Sequence, residues 1–478
     1  MNHTVSEGRK PKSYPRRFAA LAAAGLCLLG GSRAGAQLTL RDAFREADRA
    51  AYANRVAAGN TRAQGAQALG ALKGVLPSVR VEAGYLRTTD PIGVFGSTMR
   101  QRSVTQENFD PQRLNYPSAT SNYQGGIVLE QPLVNADAFS GRRAAVHATD
   151  AARASEEWKR LSTRVDVVRA YFGAVLAAER VTTLQAAARA AHAHAAQAEA
   201  MVKQGLVTRS DALLAGVRAG EMDGQLAEAE GGAATARRQL AVVLGRDGTV
   251  PADLGTRPLL PSSERIRAEV APDTAADPQS SRSDVRAAAE GLAAARDDKA
   301  RARSTLLPRL NGFARYDWNS PTRLYAGDRN WTVGVMGSWS PFAGPGELAD
   351  IKSADARAAT AQAQADAARA NAKLEDEQTR TALTVALTRL GIAERAAAQS
   401  AEAHRIVSRK YDGGLASVVE LLDAQAVETQ SALALSEARW GTIVGGAARR
   451  LALGIDPATL ATLDATNTVT EVNDHAAE

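Results

Sequence analysis

The sequence predicts an α+β chain made of two copies of one unit, in which short strands alternate with helices too long for a compact domain. Three observations carry this. Adding 209 to any position from Pro132 to Gly245 gives its counterpart from Pro341 to Gly454 without a gap, so Gly205-Leu206 answers Gly414-Leu415 and Leu244-Gly245 answers Leu453-Gly454. Four stretches alternate with the period of two that marks a strand. A helical stretch from about Asn135 to Lys203 would reach ~100 Å if unbroken, at about 1.5 Å per residue.

The first 36 residues have a basic start, an apolar run from Phe18 to Leu29 and then Ala34-Gly35-Ala36. This is the pattern of a secretory signal peptide cleaved before Gln37, and its apolar run is shorter than the ~20 residues a bilayer needs. Cys27, the single cysteine, falls inside it. The mature chain then has no thiol for a disulfide, a metal or nucleophilic catalysis. The leader's six Lys/Arg and one Glu supply five of the +6 net charge, leaving +1. So small a balance argues against nucleic acid as a partner.

The first unit covers 37–245. Leu38 to about Lys73 reads as a helix with Leu38, Leu40, Ala43, Phe44 and Ala47 on its early apolar stripe, ended by Leu76-Pro77. Val79, Val81, Ala83 and Tyr85 then alternate as a strand, and 89–121 reads as a long exposed loop. A second strand, with Tyr123, Gly125, Ile127 and Leu129 on one face, closes at Pro132. In the long helix, Val165, Val168, Phe172 and Val175 are spaced three, four, three, which suits coiled-coil packing. The chain turns at Gly205-Leu206, and Thr208 caps a helix over 209–244.

Five prolines mark 246–282 as a linker. The second unit, 283–455, repeats the order: a helix over 283–305, a strand through Leu310, Gly312, Ala314, Tyr316 and Trp318, a strand through Trp331, Val333, Val335, Gly337 and Trp339, and a second helical hairpin. In that hairpin Gly413-Gly414 ends one helix in the left-handed region and Ser417 caps the next. Glu420 stands at the capping-box position, and Glu420 and Asp423 share a helical face. Residues 456–478 read as a mobile polar tail.

Three of the five Trp residues stand at strand ends, the pattern of an outer-membrane barrel girdle. A soluble antiparallel sheet alternates in the same way. The signal peptide favours the membrane reading, as do four strands, too few to close a barrel alone; three chains would supply twelve. Enzyme signatures are lacking. His192 and His194 project about 200° apart on a helix and cannot chelate one metal, His147 and His404 read as facing solvent or the interior of a trimer, and there is no phosphate loop, nucleophile elbow or zinc-type helix motif.

The duplicated strand, helix, Gly-Leu turn and helix, the junctions Gln131-Pro132-Leu133 and Ser340-Pro341-Phe342, and the pattern Tyr-x-x-Gly-x-x-Ser-x-x-Glu-x-x-Asp-Ala-Gln from Tyr411 to Gln425 resemble the TolC-type outer-membrane factor family over 37–455. The resemblance implies a homotrimer with a twelve-stranded outer-membrane β-barrel that continues into a periplasmic α-helical coiled-coil barrel. Such a duct is passive, has no cofactor, and serves a tripartite efflux pump or a type I secretion system. Its implied partners are outer-membrane lipid, an inner-membrane transporter, and a periplasmic adaptor that meets the tips at Gly205, Leu206, Thr208, Gly414, Leu415 and Ser417.

The same resemblance assigns Glu420 and Asp423 to a periplasmic constriction, where six carboxylates in a trimer would raise one another's pKa values. It assigns Tyr411 and Asp211 to contacts that hold the gate closed. Two departures stand out: Ala416 occupies a position that is basic in some members, and Glu420 replaces a more familiar aspartate. Read from spacing alone, Glu420 is a capping residue and Asp423 a solvated charge. The other reading of the whole chain is a secreted periplasmic coiled-coil protein with a structural or adaptor role. The cargo is open among drugs, metals, siderophores and polypeptides.

Overall fold

The computed structural model describes residues 38–248, 260–270, 282–342 and 344–464. The expected signal peptide with Cys27, most of the 246–282 linker and the tail beyond 464 lie outside the described residues.

The N-terminal helix is two helices, α1 (Leu40–Ala50) and α2 (Tyr52–Gly70). Ala51 leaves the helical region, with φ −54° and ψ 130°. The Asn54 side chain donates to the Ala47 carbonyl at the break (3.1 Å). Strand β1 (Ser78–Thr88) follows. The stretch expected as an exposed loop is folded: it contains α3 (Pro91–Arg100) and α4 (Pro111–Asn115). Both start on an Asp-Pro step, Asp90-Pro91 and Asp110-Pro111. The Asp side chain accepts a backbone N–H, from Gly93 and Gln112 respectively, and Pro takes the first helical position, where its missing N–H costs nothing.

Strand β2 (Thr120–Val134) runs past Pro132, with a register shift between Pro132 and Val134 that accommodates the missing donor. Helices α5 (Ala136–Lys203) and α6 (Arg209–Val243) form the first hairpin. Next come α7 (Ser263–Val270), α8 (Ser283–Ser304), β3 (Arg309–Ser320) and β4 (Asp328–Ser338). The second hairpin is α9 (Pro345–Asp412) and α10 (Val418–Ala452), followed by a 3-10 helix, Pro457–Asp464. Helix ends 209 residues apart close alike. Gly205, Gly245, Gly414 and Gly454 all take positive φ at helix ends, and each is followed by a residue whose N–H closes the same turn.

The four strands form one antiparallel sheet in the order β1-β2-β3-β4. One face carries Arg80, Glu82, Glu130, Arg315 and Asp317, tied by the pairs Arg315–Glu82 (3.2 Å), Arg315–Asp317 (2.8 Å) and Arg80–Glu130 (3.6 Å). The other carries Val79, Val81, Tyr85, Ile127, Leu129, Trp331, Val333 and Val335, all exposed. A soluble sheet hides its apolar face; this one leaves that face exposed. At the loop end of the apolar face Tyr85 and Tyr123 stack with centroids 4.7 Å apart, and Tyr316, Trp318 and Tyr325 form a second group. Trp331 lies within β4 and Trp339 just beyond its end, roughly 27 Å apart at about 3.4 Å per residue. No described helix is long and apolar enough to cross a membrane.

Helix α5 has 68 residues and α6 has 35, so α6 returns only halfway along α5. At that height lies the main core. Val165, Val168, Tyr171, Phe172 and Val175 of α5 meet Phe44 of α1, Leu240 of α6 and Leu244 just past its end, Leu383 and Leu390 of α9, and Ile443 of α10. Ile266 and Val270 of α7 join it, as do Leu460 and Leu463. The described part of the Pro-rich connection is therefore a packed helix rather than a bare linker, and the tail is folded as far as 464, because both cover apolar surface that the half-length α6 leaves open. Arg282, buried, pairs with Asp284 (2.7 Å) and Glu375 (2.6 Å) and lies 4.5 Å over the Trp158 ring, which fixes the start of the second unit to α5.

Candidate functional site: the paired hairpin tips

Both hairpins close on the same turn. In the first, Gly205 takes φ 73°, Leu206 N donates to Met201 O (2.9 Å) and Gly205 N to Val202 O (3.0 Å). In the second, Gly414 takes φ 74°, Leu415 N donates to Lys410 O (2.7 Å) and Gly414 N to Tyr411 O (3.0 Å). These bonds satisfy the last helical carbonyls and require a left-handed residue, which glycine supplies without strain. Of the Gly413-Gly414 pair only Gly414 does this; Gly413 has φ −86°. The leucines that follow project into solvent, Leu206 64 % and Leu415 82 % exposed.

Each following helix opens with a complete capping box. Thr208 Oγ1 accepts from Asp211 N (3.3 Å) while Asp211 Oδ2 accepts from Thr208 N (3.1 Å). Ser417 Oγ accepts from Glu420 N (3.2 Å) while Glu420 Oε2 accepts from Ser417 N (2.7 Å). The hydrogen bonds from Ser417, backbone first and then hydroxyl, hold the Glu420 carboxyl below the usual carboxylate range. The upward shift expected from crowded carboxylates is not what one chain produces, because capping favours the charged form. Asp423 is exposed one turn on. Arg218 of α6, raised mainly by its hydrogen bond to Glu221, is also raised by Asp423. A cation of the first hairpin thus stands within electrostatic reach of the second hairpin's acid.

The two tips touch. Tyr411 is 2 % exposed and packs with Ala198, Ala215, Val418, Leu421 and Leu422. Its hydroxyl donates to Met201 Sδ (3.3 Å). Asp211 acts on Tyr411 through its charge, which adds to burial in raising the phenol's pKa, while its carboxylate serves the Thr208 cap. Further links across the hairpins are Gln197 Nε2 to Asp412 Oδ1 (3.2 Å) and Gln425 Nε2 to Ala187 O (3.0 Å). Met201, Gln197 and Arg218 carry no signal in the sequence, and Gln425, although it closes the Tyr411–Gln425 pattern, shows no partner there, since each is an ordinary helical residue until its partner from the other hairpin, or a neighbouring helix, is placed beside it.

His194 of α5 and His404 of α9 stand edge to face with centroids 6.3 Å apart, and His404 Nδ1 pairs with Glu428 of α10. His147 pairs with Glu290 (2.7 Å) rather than facing solvent alone. Burial, and then the charge of His404, lowers the His194 pKa against the opposing pull of Asp412. A depressed histidine pKa favours the neutral folded form, so the contribution of His194 is present above the unfolded value of about 6.5 and is lost as pH falls through the folded value. We expect amide protection factors at the tips, taken relative to the intrinsic exchange rate at each pH, to fall as pH drops below about 6.5, and His194→Gln to flatten that response. An unchanged pH response in the variant would sink this role for His194.

Among the described residues, no group of three or more His, Cys, Asp or Glu side chains could hold a metal ion. The sequence profile of a family described as outer membrane efflux protein matches residues 55–246 and 277–441. No curated protein matches the sequence. Solved structures do. VceC of Vibrio cholerae, an outer membrane protein, is 18 % identical, with a TM-score of 0.73, 87 % of this chain and 96 % of that one covered. The CmeC outer membrane channel of Campylobacter jejuni is 17 % identical, with a TM-score of 0.71 and coverages of 87 % and 86 %. The open state of the MtrE outer membrane channel of Neisseria gonorrhoeae is 19 % identical, with a TM-score of 0.69 and coverages of 88 % and 89 %. At these identities the likeness concerns the fold.

Proposed function

Since the chain belongs to the outer membrane efflux protein family, we propose that it is the outer-membrane duct of a tripartite efflux pump or type I secretion system, closed at its periplasmic end by the paired hairpin tips. The observation that carries the reading is the sheet: its apolar face is exposed, its other face is charged, and β1 and β4 each keep an edge without a neighbouring strand among the described residues. Open edges invite pairing with further copies, and a lipid-exposed sheet must close. Three copies make a twelve-stranded barrel with Val81, Val333 and Val335 toward lipid and Arg80, Glu82 and Arg315 toward the lumen.

Helices α5 and α9 then carry the channel across the periplasm. The exposed Leu206 and Leu415, fixed by Gly205 and Gly414 and framed by Thr208 and Ser417, offer the adaptor two equivalent apolar knobs per chain. Glu420 and Asp423 form the constriction, and Tyr411 holds the hairpins together with Asp211 nearby. The duct does no chemistry; the transporter supplies energy and selects cargo. The test is to purify the protein from outer membranes. A heat-modifiable trimer that conducts ions in planar bilayers is expected, whereas a soluble chain with no such behaviour would return the protein to the adaptor class.

A further inference from the structure

The C-terminal end of α3 and the turn after it, Arg100 to Arg102, are bonded to the charged face of the sheet, and α4 packs against α3. Gln101 Nε2 donates to Asn122 Oδ1 (2.9 Å) and to Ser121 O (2.9 Å), and Asn122 Nδ2 donates to Asn319 Oδ1 (2.9 Å), all three amides being buried. Asn330 Nδ2 donates to Arg100 O (3.3 Å), and Arg102, with φ 48°, reaches Arg329 O (3.2 Å). Asn330 lies opposite Asp317 in the ladder, and Asn319 lies two residues beyond it, so the C-terminal end of α3 sits on the face of Glu82, Arg315 and Asp317. In the trimeric barrel, on which this inference rests, that face is the inside. The same segment leaves Ile92 85 % and Tyr116 83 % exposed. Lipid cannot cover side chains on this side of the wall.

Size decides what does. Twelve strands roughly 4.8 Å apart and tilted about 40° close a circle about 24 Å across. Three helices about 10 Å in diameter, in mutual contact, span about 22 Å. Three copies of α3 held against the inner wall must therefore meet. We propose that residues 89–119 of three protomers converge on the channel axis, cover one another's Ile92 and Tyr116, and form a second constriction at the outer mouth. The duct is then closed at both ends, by hairpin tips inside and by this folded loop outside.

The test uses single-cysteine chains in outer-membrane fractions. With Cys27→Ser as background, Ile92→Cys and Tyr116→Cys are made separately, together with Val335→Cys on the lipid face as a control. Copper-catalysed oxidation is expected to shift most of the Ile92→Cys or Tyr116→Cys protein from monomer to covalent dimer on denaturing gels, and to leave the Val335→Cys protein monomeric. If heat-modifiable trimers form but both loop thiols stay monomeric while reacting with an impermeant maleimide added outside, the outer constriction is overturned and the barrel stands. If no trimer forms, both are overturned.

Discussion

Replacing Glu420 by Gln and Asp423 by Asn together is expected to remove most of the channel's cation preference and to weaken block by periplasmic divalent cations at least about tenfold, a change of about 1.4 kcal/mol. One carboxylate about 8 Å from a divalent ion in water is worth about 1 kcal/mol before screening, and the proposed trimer would present six. The choice of Gln matters. Glu420 is committed to the Ser417 cap, and Gln can keep that cap while removing the charge. Alanine would remove both the charge and the capping hydrogen bond at the start of α10, which could open the tip for a purely structural reason. Because capping depresses the Glu420 pKa, its charge and its capping contribution are present above the unfolded carboxyl value and are lost only as pH falls through the lower folded one. Single-channel conductance in planar bilayers, with divalent ions titrated on the periplasmic side, reads the effect. Unchanged selectivity and block in the double variant would remove these residues from the constriction.

Truncating Tyr411 to Ala is expected to separate the two hairpins and raise basal conductance, leaving the trimer intact. Tyr411 fills the centre of a small apolar cluster at the tips, far along α9 from the larger core at mid-height. Removing a buried aromatic side chain costs about 3–5 kcal/mol, more than so small a cluster can lose and stay closed. The core around Phe172 and Leu390, and the sheet, do not depend on it, so opening is local. Tyr411→Phe is the control. It loses only the hydroxyl's contact with Met201 Sδ and should conduct nearly as the parent does. Equal conductance in Tyr411→Ala and the parent would show that tip packing does not hold the duct closed; equal opening in both variants would place the latch in the hydroxyl instead.

The features legible in the sequence are those written within one or two turns of chain. Gly205-Leu206 and Gly414-Leu415 mark the turns, Thr208 with Asp211 and Ser417 with Glu420 mark the caps, and the 209-residue offset ties the two hairpins together. The segment 89–121 resembles a bare loop because its polar composition masks two Asp-Pro helix starts. The segment 260–270 and the tail to 464 resemble linker and loose end because the need for them arises only where α6 ends, halfway along α5. Tyr411 is recognisable as a contact residue, but its hydrogen-bond partner is not.

By itself, the sequence determined the strands and helical hairpins, the alternating faces of the four strands, and the turn glycines and capping boxes of both tips. Each depends on periodicity or on hydrogen bonds between residues three to five apart. Only the tertiary structure decided that Met201 receives the Tyr411 hydroxyl, that Arg218 lies near Asp423, that Gln101, Asn122 and Asn319 lock the outer loop over the charged face, and that α7 and the 3-10 helix complete the core. Most of these pairings join residues 100 or more positions apart, and even Gln101 to Asn122 spans a whole folded loop. Such side chains show a partner only when the sheet register and the packing of the helices bring the two together.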